Sequence, residues 1–576
     1  MLLTVGIIPL FFLFTSTRAT FTADRLHVNG AQSINLWKLR SRTARTRTPL
    51  LVQDDPGSSA STVSSVAYFS SAAASFPEYT FTQPLDHFYN TTNGTFGQRY
   101  WVSTRHYKSG TGAPVIVLDG GETSGEDRLP YLDTGIVNIL AKATGGVGVV
   151  LEHRYYGESV GVANFSTDNL RKDRWLNNEQ ALEDSANFMR NVRFEGIDED
   201  LMAPNVPWIY YGGSYAGARV AHMKILYPDI VFGAIASSGV THAAITNWEY
   251  MDVIRIYADP KCSANLVRSV ALIDTLLKVP VVRTYLKGLF GLGNLTHDVD
   301  FVSLITVAFH FSSGKGHGPD GDEDVQDPLG SWQSKNWDPA VGSTVFDKFC
   351  DALNGNSTGT AADTNVTTAD GLTVNLAVLN YANYIKENIA SACPNGTTLD
   401  DCFGTFNDSA YQDVDLSQDW RLWTFQYCTQ WGYLTTAPPS RRIPTIISHL
   451  LDLDYEHKIC LQAFPPGEFF TVPALPNVTA VNVLGDFAIA ADRLAIVDGE
   501  IDPWRPDTPH SQYGAKERAD TILRPFKLIP GAVHHWDENG LADNSAEPVE
   551  IRAIHEQEVE FVTAWLKDFR KPAVAA

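Results

Sequence analysis

From about residue 79 the chain alternates short, wholly apolar runs with stretches in which apolar residues recur every three or four positions. Val115-Ile116-Val117-Leu118 ends in Asp119-Gly120-Gly121, Val147-Gly148-Val149-Val150-Leu151 ends in Glu152-His153-Arg154, and Trp208-Ile209-Tyr210-Tyr211 ends in Gly212-Gly213-Ser214. Runs with no polar alternation are how strands buried on both faces read. Between the second and third runs, Glu179 to Val192 carries Leu182, Phe188 and Met189 and predicts a helix; Ala216 to Tyr227 predicts another. Near the end, Leu494-Ala495-Ile496-Val497 and Phe526-Lys527-Leu528-Ile529 read as two more strands, and Ile551, His555, Val559, Val562, Leu566 and Phe569 mark a closing helix. This is the pattern of an α/β protein with a mostly parallel sheet covered by helices. Residues 76–245 supply its first part and residues 475–576 its second. The intervening 246–474, with helical patterns such as Leu266 to Leu289 and a loop from Ser312 to Gly342, read as a mainly helical insertion that caps one end of the sheet.

The first 75 residues do not follow this pattern. An apolar run from Leu2 to Phe14, followed by Thr17-Arg18-Ala19, predicts a signal peptide over residues 1–19. It is too short to span a bilayer, and no later stretch reaches the roughly 18 apolar residues a spanning helix needs. Residues 20–75 cluster Lys38, Arg40, Arg42, Arg45 and Arg47 and then turn Ser/Ala-rich from Ser58 to Ser75, which predicts a flexible extension or a removable pro-segment. Secretion is the expected route, with a vacuole or lysosome as the other possible end point. It agrees with nine Asn-x-Ser/Thr sequons, at Asn90, Asn93, Asn164, Asn294, Asn356, Asn365, Asn395, Asn407 and Asn477. It agrees also with six cysteines, Cys262, Cys350, Cys393, Cys402, Cys428 and Cys460, whose spacing fits no zinc site and suits disulfides, Cys393 with Cys402 being the most local pair. Forty-four basic against 66 acidic side chains give a net charge of −22, which repels nucleic acid and anionic membranes alike.

The chemistry concentrates where predicted strands stop. Tyr211-Gly212-Gly213-Ser214-Tyr215-Ala216-Gly217 lies at a strand-to-helix junction, the setting in which a Gly-x-Ser-x-Gly turn lifts a serine hydroxyl clear of the sheet; Ala216 replaces the second glycine. The N–H of Tyr215 would then face a developing oxyanion. A serine needs a histidine base oriented by a carboxylate, and hydrolases on such sheets order them Ser, acid, His. The late block offers Asp498 or Asp502 after one strand and His534 or His535 after the next; the residues alone leave both pairs open. His153 beside Arg154 reads as structural. Asp320-Gly321-Asp322-Glu323-Asp324 lacks the central Gly and final Glu of a calcium loop, and no metal motif, phosphate loop or dinucleotide fingerprint is present, so no cofactor is expected.

These residues resemble the serine peptidases that include lysosomal prolyl carboxypeptidase, dipeptidyl peptidase II and fungal prolyl endopeptidases. The resemblance runs through Phe81-Thr82-Gln83-Pro84-Leu85-Asp86-His87-Phe88, Phe96-Gly97-Gln98-Arg99-Tyr100, Gly120-Gly121-Glu122, Glu152-His153-Arg154-Tyr155-Tyr156-Gly157-Glu158-Ser159, Glu179-Gln180-Ala181-Leu182, the Ser214 turn, Asp502-Pro503-Trp504 and the His534 loop. In the middle region it thins to Phe425-Gln426-Tyr427-Cys428-Thr429. It implies an α/β-hydrolase fold with a helical, disulfide-bearing cap, and cleavage on the carboxyl side of proline in peptide or protein substrates. It also implies Asp502 as the acid and His534 as the base. The Gly120-Gly121-Glu122 turn follows an early strand, as the oxyanion loop does in α/β-hydrolases, and Gly121 is the expected second oxyanion N–H. Trp504 is the expected aromatic wall for a proline ring. Asp498 stands where relatives usually carry Asn, and Gln430 where many place Glu after Cys-Thr. Carboxypeptidase, dipeptidyl peptidase and endopeptidase modes all stay open, as does the oligomeric state. An esterase or lipase on the same sheet and a catalytically silent binding protein are the competing readings.

Overall fold

Each apolar run forms a strand. The computed structural model describes residues 31–35, 76–89, 92–171, 175–306, 328–355, 361–368, 371 and 373–570. Eight strands make the main sheet: β1 (Glu78–Pro84), β2 (Thr95–Ser103), β3 (Val115–Asp119), β4 (Val147–Leu151), β5 (Trp208–Gly213), β6 (Gly233–Ser237), β7 (Leu494–Gly499) and β8 (Phe526–Ile529). Their spatial order is β1-β2-β4-β3-β5-β6-β7-β8. β1 and β2 pair antiparallel, as do β2 and β4, and every pair from β4 to β8 is parallel. This is an α/β-hydrolase sheet. The strand period of two divides its residues between two helical layers. Val115, Val117, Val147, Val149 and Tyr210 share a core with Leu182, Phe188, Val220 and Met223. Ile116, Leu118, Val150 and Tyr211 share the opposite core with Ile136, Leu140, Phe561 and Trp565. The layers are therefore α2 (Asn178–Asn191) and α3 (Ser214–Leu226) on one face, and α1 (Ile136–Thr144) and α4 (Val549–Lys567) on the other.

β6 escaped the apolar pattern because its sequence, Gly233-Ala234-Ile235-Ala236-Ser237, is made of small residues. The reason is steric: a Cβ on Gly233 would sit 2.8 Å from the Trp565 ring. The predicted helix from Leu266 to Leu289 is in fact two, Pro260–Leu276 and Pro280–Leu289. Pro280 supplies no N–H to a continuing helix but fits the first turn of a new one, so the chain breaks there.

The stretch between β6 and β7 is mostly helical and carries three disulfides, Cys262–Cys350, Cys393–Cys402 and Cys428–Cys460. Its apolar core is continuous with Tyr215, Trp504 and Val533, which come from loops following β5, β7 and β8. It therefore covers the edge of the sheet where those strands end. A short parallel pairing of Ala244–Thr246 with Gly432–Leu434 ties the two parts together.

Within the stretch read as a flexible extension or pro-segment, residues 31–35 are helical and buried, with Ala31 and Ile34 in the cap core. For these five residues the flexible reading is corrected: amide side chains and one isoleucine find partners in a distant part of the chain. The predicted signal peptide, the rest of residues 20–75, the Asp320–Asp324 loop, Asn90 and Asn356 lie outside the described residues. Among the described residues no helix is long and apolar enough to cross a membrane.

Candidate active site

Ser214 is the first residue of α3, directly after β5, and its φ of 59° is left-handed. A non-glycine residue in that region is strained, and such strain is what a sharp strand-to-helix turn imposes on its central residue. Gly212 is needed because a Cβ there would lie 2.7 Å from the backbone of Ala216 on the returning helix. Ala216 itself is accommodated, its methyl 3.3 Å from the Cβ position of Gly121. Tyr215 lies in the first turn of α3, where backbone N–H groups have no acceptor within the helix.

The two open pairs of the late block resolve into separate partnerships. His534 Nδ1 lies 2.9 Å from Asp502 Oδ2, both groups buried. The other Asp502 oxygen accepts the Trp504 N–H at 2.9 Å. Burial alone would raise the Asp502 carboxyl, but the His534 ring, the Ser238 hydroxyl and the Trp504 N–H outweigh it and hold the group below the usual aspartate range. Asp498 belongs to another histidine: its Oδ2 lies 2.6 Å from His510 Nδ1, and the His510 ring stacks on Phe526 with centroids 3.6 Å apart. His535 faces away from Asp502, with Nδ1 2.9 Å from Glu538 Oε2.

The histidine loop packs on the serine turn. A Cβ on Gly213 would lie 3.2 Å from the His535 ring and 2.8 Å from Glu538 Oε1. The His535 N–H donates to Ser238 Oγ at 3.0 Å, just past the end of β6. The acid and base loops meet as closely, since a Cβ on Gly499 would fall 2.1 Å from the Val533 carbonyl oxygen. Ser214, Asp502 and His534 are thus gathered at one edge of the sheet beneath the cap, none more than 4% exposed.

The remaining expected site residues divide. The Gly121 N–H is already donated to Asp119 Oδ1 at 3.0 Å, and Asp119 also accepts the Tyr210 hydroxyl and Arg219 Nη1. The second oxyanion donor expected at Gly121 is corrected on this ground: Asp119, the last residue of β3, draws that N–H into the sheet network. Trp504 is buried, its ring edge-on to Tyr250 and Tyr433 and 6.5 Å from His534, with its indole N–H donated to Gln333 Oε1 at 2.8 Å. Gln430 Oε1 accepts the Asn178 N–H at 3.4 Å, at the start of α2. His153 is structural: Nδ1 donates to the Arg154 carbonyl at 2.6 Å and Nε2 meets the Tyr215 hydroxyl at 3.1 Å. Burial and the neighbouring Arg219 charge push His153 well below the usual imidazole range, so it stays neutral.

Three neighbours were given no role from the sequence, although Gln426 lay in the middle-region resemblance. Gln426 of the cap donates to the Tyr215 hydroxyl at 2.7 Å, Arg128 Nε donates to the Gly120 carbonyl at 3.1 Å, and Ser238 touches both the acid and the histidine loop. Ser238 also carried a readable signal, because Ser237-Ser238-Gly239 is again a polar cluster at a strand end; Arg128 carried none. Of the sequons, Asn93, Asn294, Asn365, Asn395, Asn407 and Asn477 are exposed and Asn164 is half-buried.

Sheet order, serine turn and Asp–His pair define an α/β-hydrolase. The serine carboxypeptidase S28 profile matches residues 83–307 and 336–557, and the chain belongs to that family of serine-type peptidases. It is 39% identical over 522 residues to a "Probable extracellular serine carboxypeptidase" of Arthroderma benhamiae, covering 86% of this chain and 68% of that one. It is 27% identical to the serine protease vicPa of Bipolaris victoriae, over 85% of this chain and 88% of the relative. Its identity to the lysosomal Pro-X carboxypeptidase of Bos taurus is 25%, over 84% and 87% of the two chains.

Proposed function

We propose that this serine peptidase is secreted and cleaves peptide bonds on the carboxyl side of proline, with Ser214 as nucleophile, His534 as base and Asp502 as its orienting acid. The observation that carries the reading is the His534 Nδ1–Asp502 contact in a loop packed against the strained Ser214 turn. With Nδ1 held by Asp502, the nitrogen left to take the Ser214 proton is Nε2. Ser214 Oγ attacks the proline carbonyl; the proton passes to Nε2 and then to the leaving amine of the next residue, and water reverses the sequence on the acyl-enzyme. Asp502, kept ionised, stabilises the imidazolium that forms between these steps. The Tyr215 N–H, at the positive end of α3, holds the oxyanion.

The proline ring offers neither a hydrogen-bond donor nor an acceptor, so its pocket wants flat apolar surface with no polar group left unpaired. Trp504 suits this, because its one donor is satisfied by Gln333. Secretion is supported by the disulfides, the exposed sequons and the extracellular relative. Fluorophosphonate labelling of wild type and Ser214→Ala, with rates on matched Pro-X and Ala-X peptides and on a simple ester, tests the proposal. Labelling that requires Ser214 and a marked preference for Pro-X are expected. Absent labelling would make the protein a silent binder, and turnover of the ester alone would make it an esterase.

A further inference from the structure

Residues 31–35 make side-chain contacts that a passing linker does not make. Gln32 Nε2 donates to the Phe403 carbonyl at 2.6 Å and lies 3.3 Å from the Asp300 carbonyl. Asn35 Nδ2 donates to the Gly404 carbonyl at 2.8 Å, and Asn35 Oδ1 accepts the Tyr411 hydroxyl at 2.8 Å. Ala31, just before Gln32, and Ile34, between the two amides, enter the cap core at 5% and 2% exposure. Polar side chains at both ends and an apolar one between them read as sequence-specific recognition of a short helical segment.

The receiving surface is built independently of its occupant. Cys402, one residue before Phe403, is tied to Cys393. The Thr405 N–H and hydroxyl bond the Asp300 carboxylate at 3.1 and 2.5 Å, and the Tyr455 hydroxyl bonds it at 2.9 Å. The Phe403 and Gly404 carbonyls that accept from Gln32 and Asn35 are therefore held in place by a disulfide and a buried carboxylate. Forty-odd residues separate Asn35 from β1, and Lys38, Arg40, Arg42, Arg45 and Arg47 lie among them, residue types after which trypsin-like peptidases cut.

We propose that the cap contains a peptide-binding site whose occupant is the chain's own residues 31–35, held by side-chain recognition and not by the covalent link, so that a chain cut between residues 36 and 75 keeps its N-terminal peptide. The segment then acts as a non-covalent part of the cap, whichever peptide the enzyme cleaves.

The test uses the full chain with residues 55–61 replaced by the recognition sequence of a site-specific viral protease. After cutting, size-exclusion chromatography followed by intact and denaturing mass measurement reads whether the N-terminal peptide travels with the body. Co-elution is expected. In Gln32→Ala and in Asn35→Ala, release after cutting is expected to be about tenfold faster for each, the worth of one well-made hydrogen bond to a buried carbonyl. Loss of the peptide from the cut wild-type chain within one column passage overturns the proposal, and so does release that is no faster in either variant. If a variant is not secreted, the cut wild-type chain alone decides.

Discussion

The loop after β7 and the loop after β8 bring two Asp–His pairs within a few residues of each other, and the two have different surroundings. Asp502–His534 sits beneath the cap beside the Ser214 turn, with Asp502 also bonded by Ser238 and Trp504. Asp498–His510 lies at the end of β7 with its imidazole stacked on Phe526 of β8. Each is a carboxylate within 3 Å of an imidazole Nδ1, so the contact itself does not distinguish a reacting pair from a packing one. The surroundings do: His534 stands on a loop packed against the Ser214 turn at Gly213, whereas the His510 ring is stacked on Phe526 of β8.

The largest effect that separates the pairs is loss of the nucleophile. Ser214→Ala is expected to lower kcat/KM by at least about 10⁴-fold with an unchanged melting temperature, measured on a Pro-X peptide. Asp502→Asn follows, with a fall of about 10³- to 10⁴-fold, because the amide holds the imidazole in the wrong tautomer. Asp498→Asn should leave kcat/KM within about threefold and instead lower the melting temperature by about 2–6 °C, a partly broken buried pair in a large protein. Equal activity losses in Asp498→Asn and Asp502→Asn would erase the distinction.

A pH series sharpens it further. Burial, with Asp537 beside it, pushes the Glu558 carboxyl well above its ordinary range, whereas Asp502 is held below its own. Asp537 accepts the Tyr211 and Ser237 hydroxyls directly behind the histidine loop. Glu558 is neutral in the fold and ionises at an ordinary value when unfolded. Its contribution is therefore complete below about pH 4.3 and is lost as pH rises through its raised value, at up to about 1.4 kcal/mol per pH unit. The Asp502 contribution has the opposite sign: present above about pH 3.9 and lost as pH falls through its lowered value. Between pH 4 and pH 8 the Glu558 share of the stability should fall, and Glu558→Gln should remove that share from the pH dependence of the melting temperature. A modest, substrate-specific effect is expected for Trp504→Phe, which strips Gln333 of one donor: a loss of about three- to tenfold in kcat/KM on Pro-X peptides, with Ala-X rates little changed.

Many residues that made the chain look like a peptidase are scaffolding. Arg99 grips Glu152 through Nε and Nη2 at 2.9 and 2.7 Å, Arg154 grips Asp184 at 2.5 and 2.7 Å, and Gln83 Nε2 donates to Gln98 Oε1 at 2.7 Å. Arg99–Glu152 ties β2 to the end of β4, Gln83–Gln98 ties β1 to β2, and Arg154–Asp184 ties the segment after β4 to α2; a buried charge without its partner is costly. Motif blocks in sequence therefore mark polar groups that must be satisfied, whether or not they meet a substrate. Gly121 shows the same rule inside the site, where its N–H answers to Asp119 and not to a prospective oxyanion.

Strands β3, β4, β5, β7 and β8, helices α2, α3 and α4, and the Ser214 turn were legible in the sequence, because periodicity and glycine spacing act over a few residues. β6 was hidden by its small side chains, whose purpose is visible only against Trp565. The pairing of Asp498 with His510, the engagement of Gly121 and the burial of residues 31–35 were decided by tertiary structure alone, whereas Asp502 with His534 was reached in the sequence only through the family resemblance. Each depends on groups brought together by loop curvature and packing, from up to about 370 residues apart in the case of Gln32 and Phe403, and no local pattern encodes which partner lies nearer.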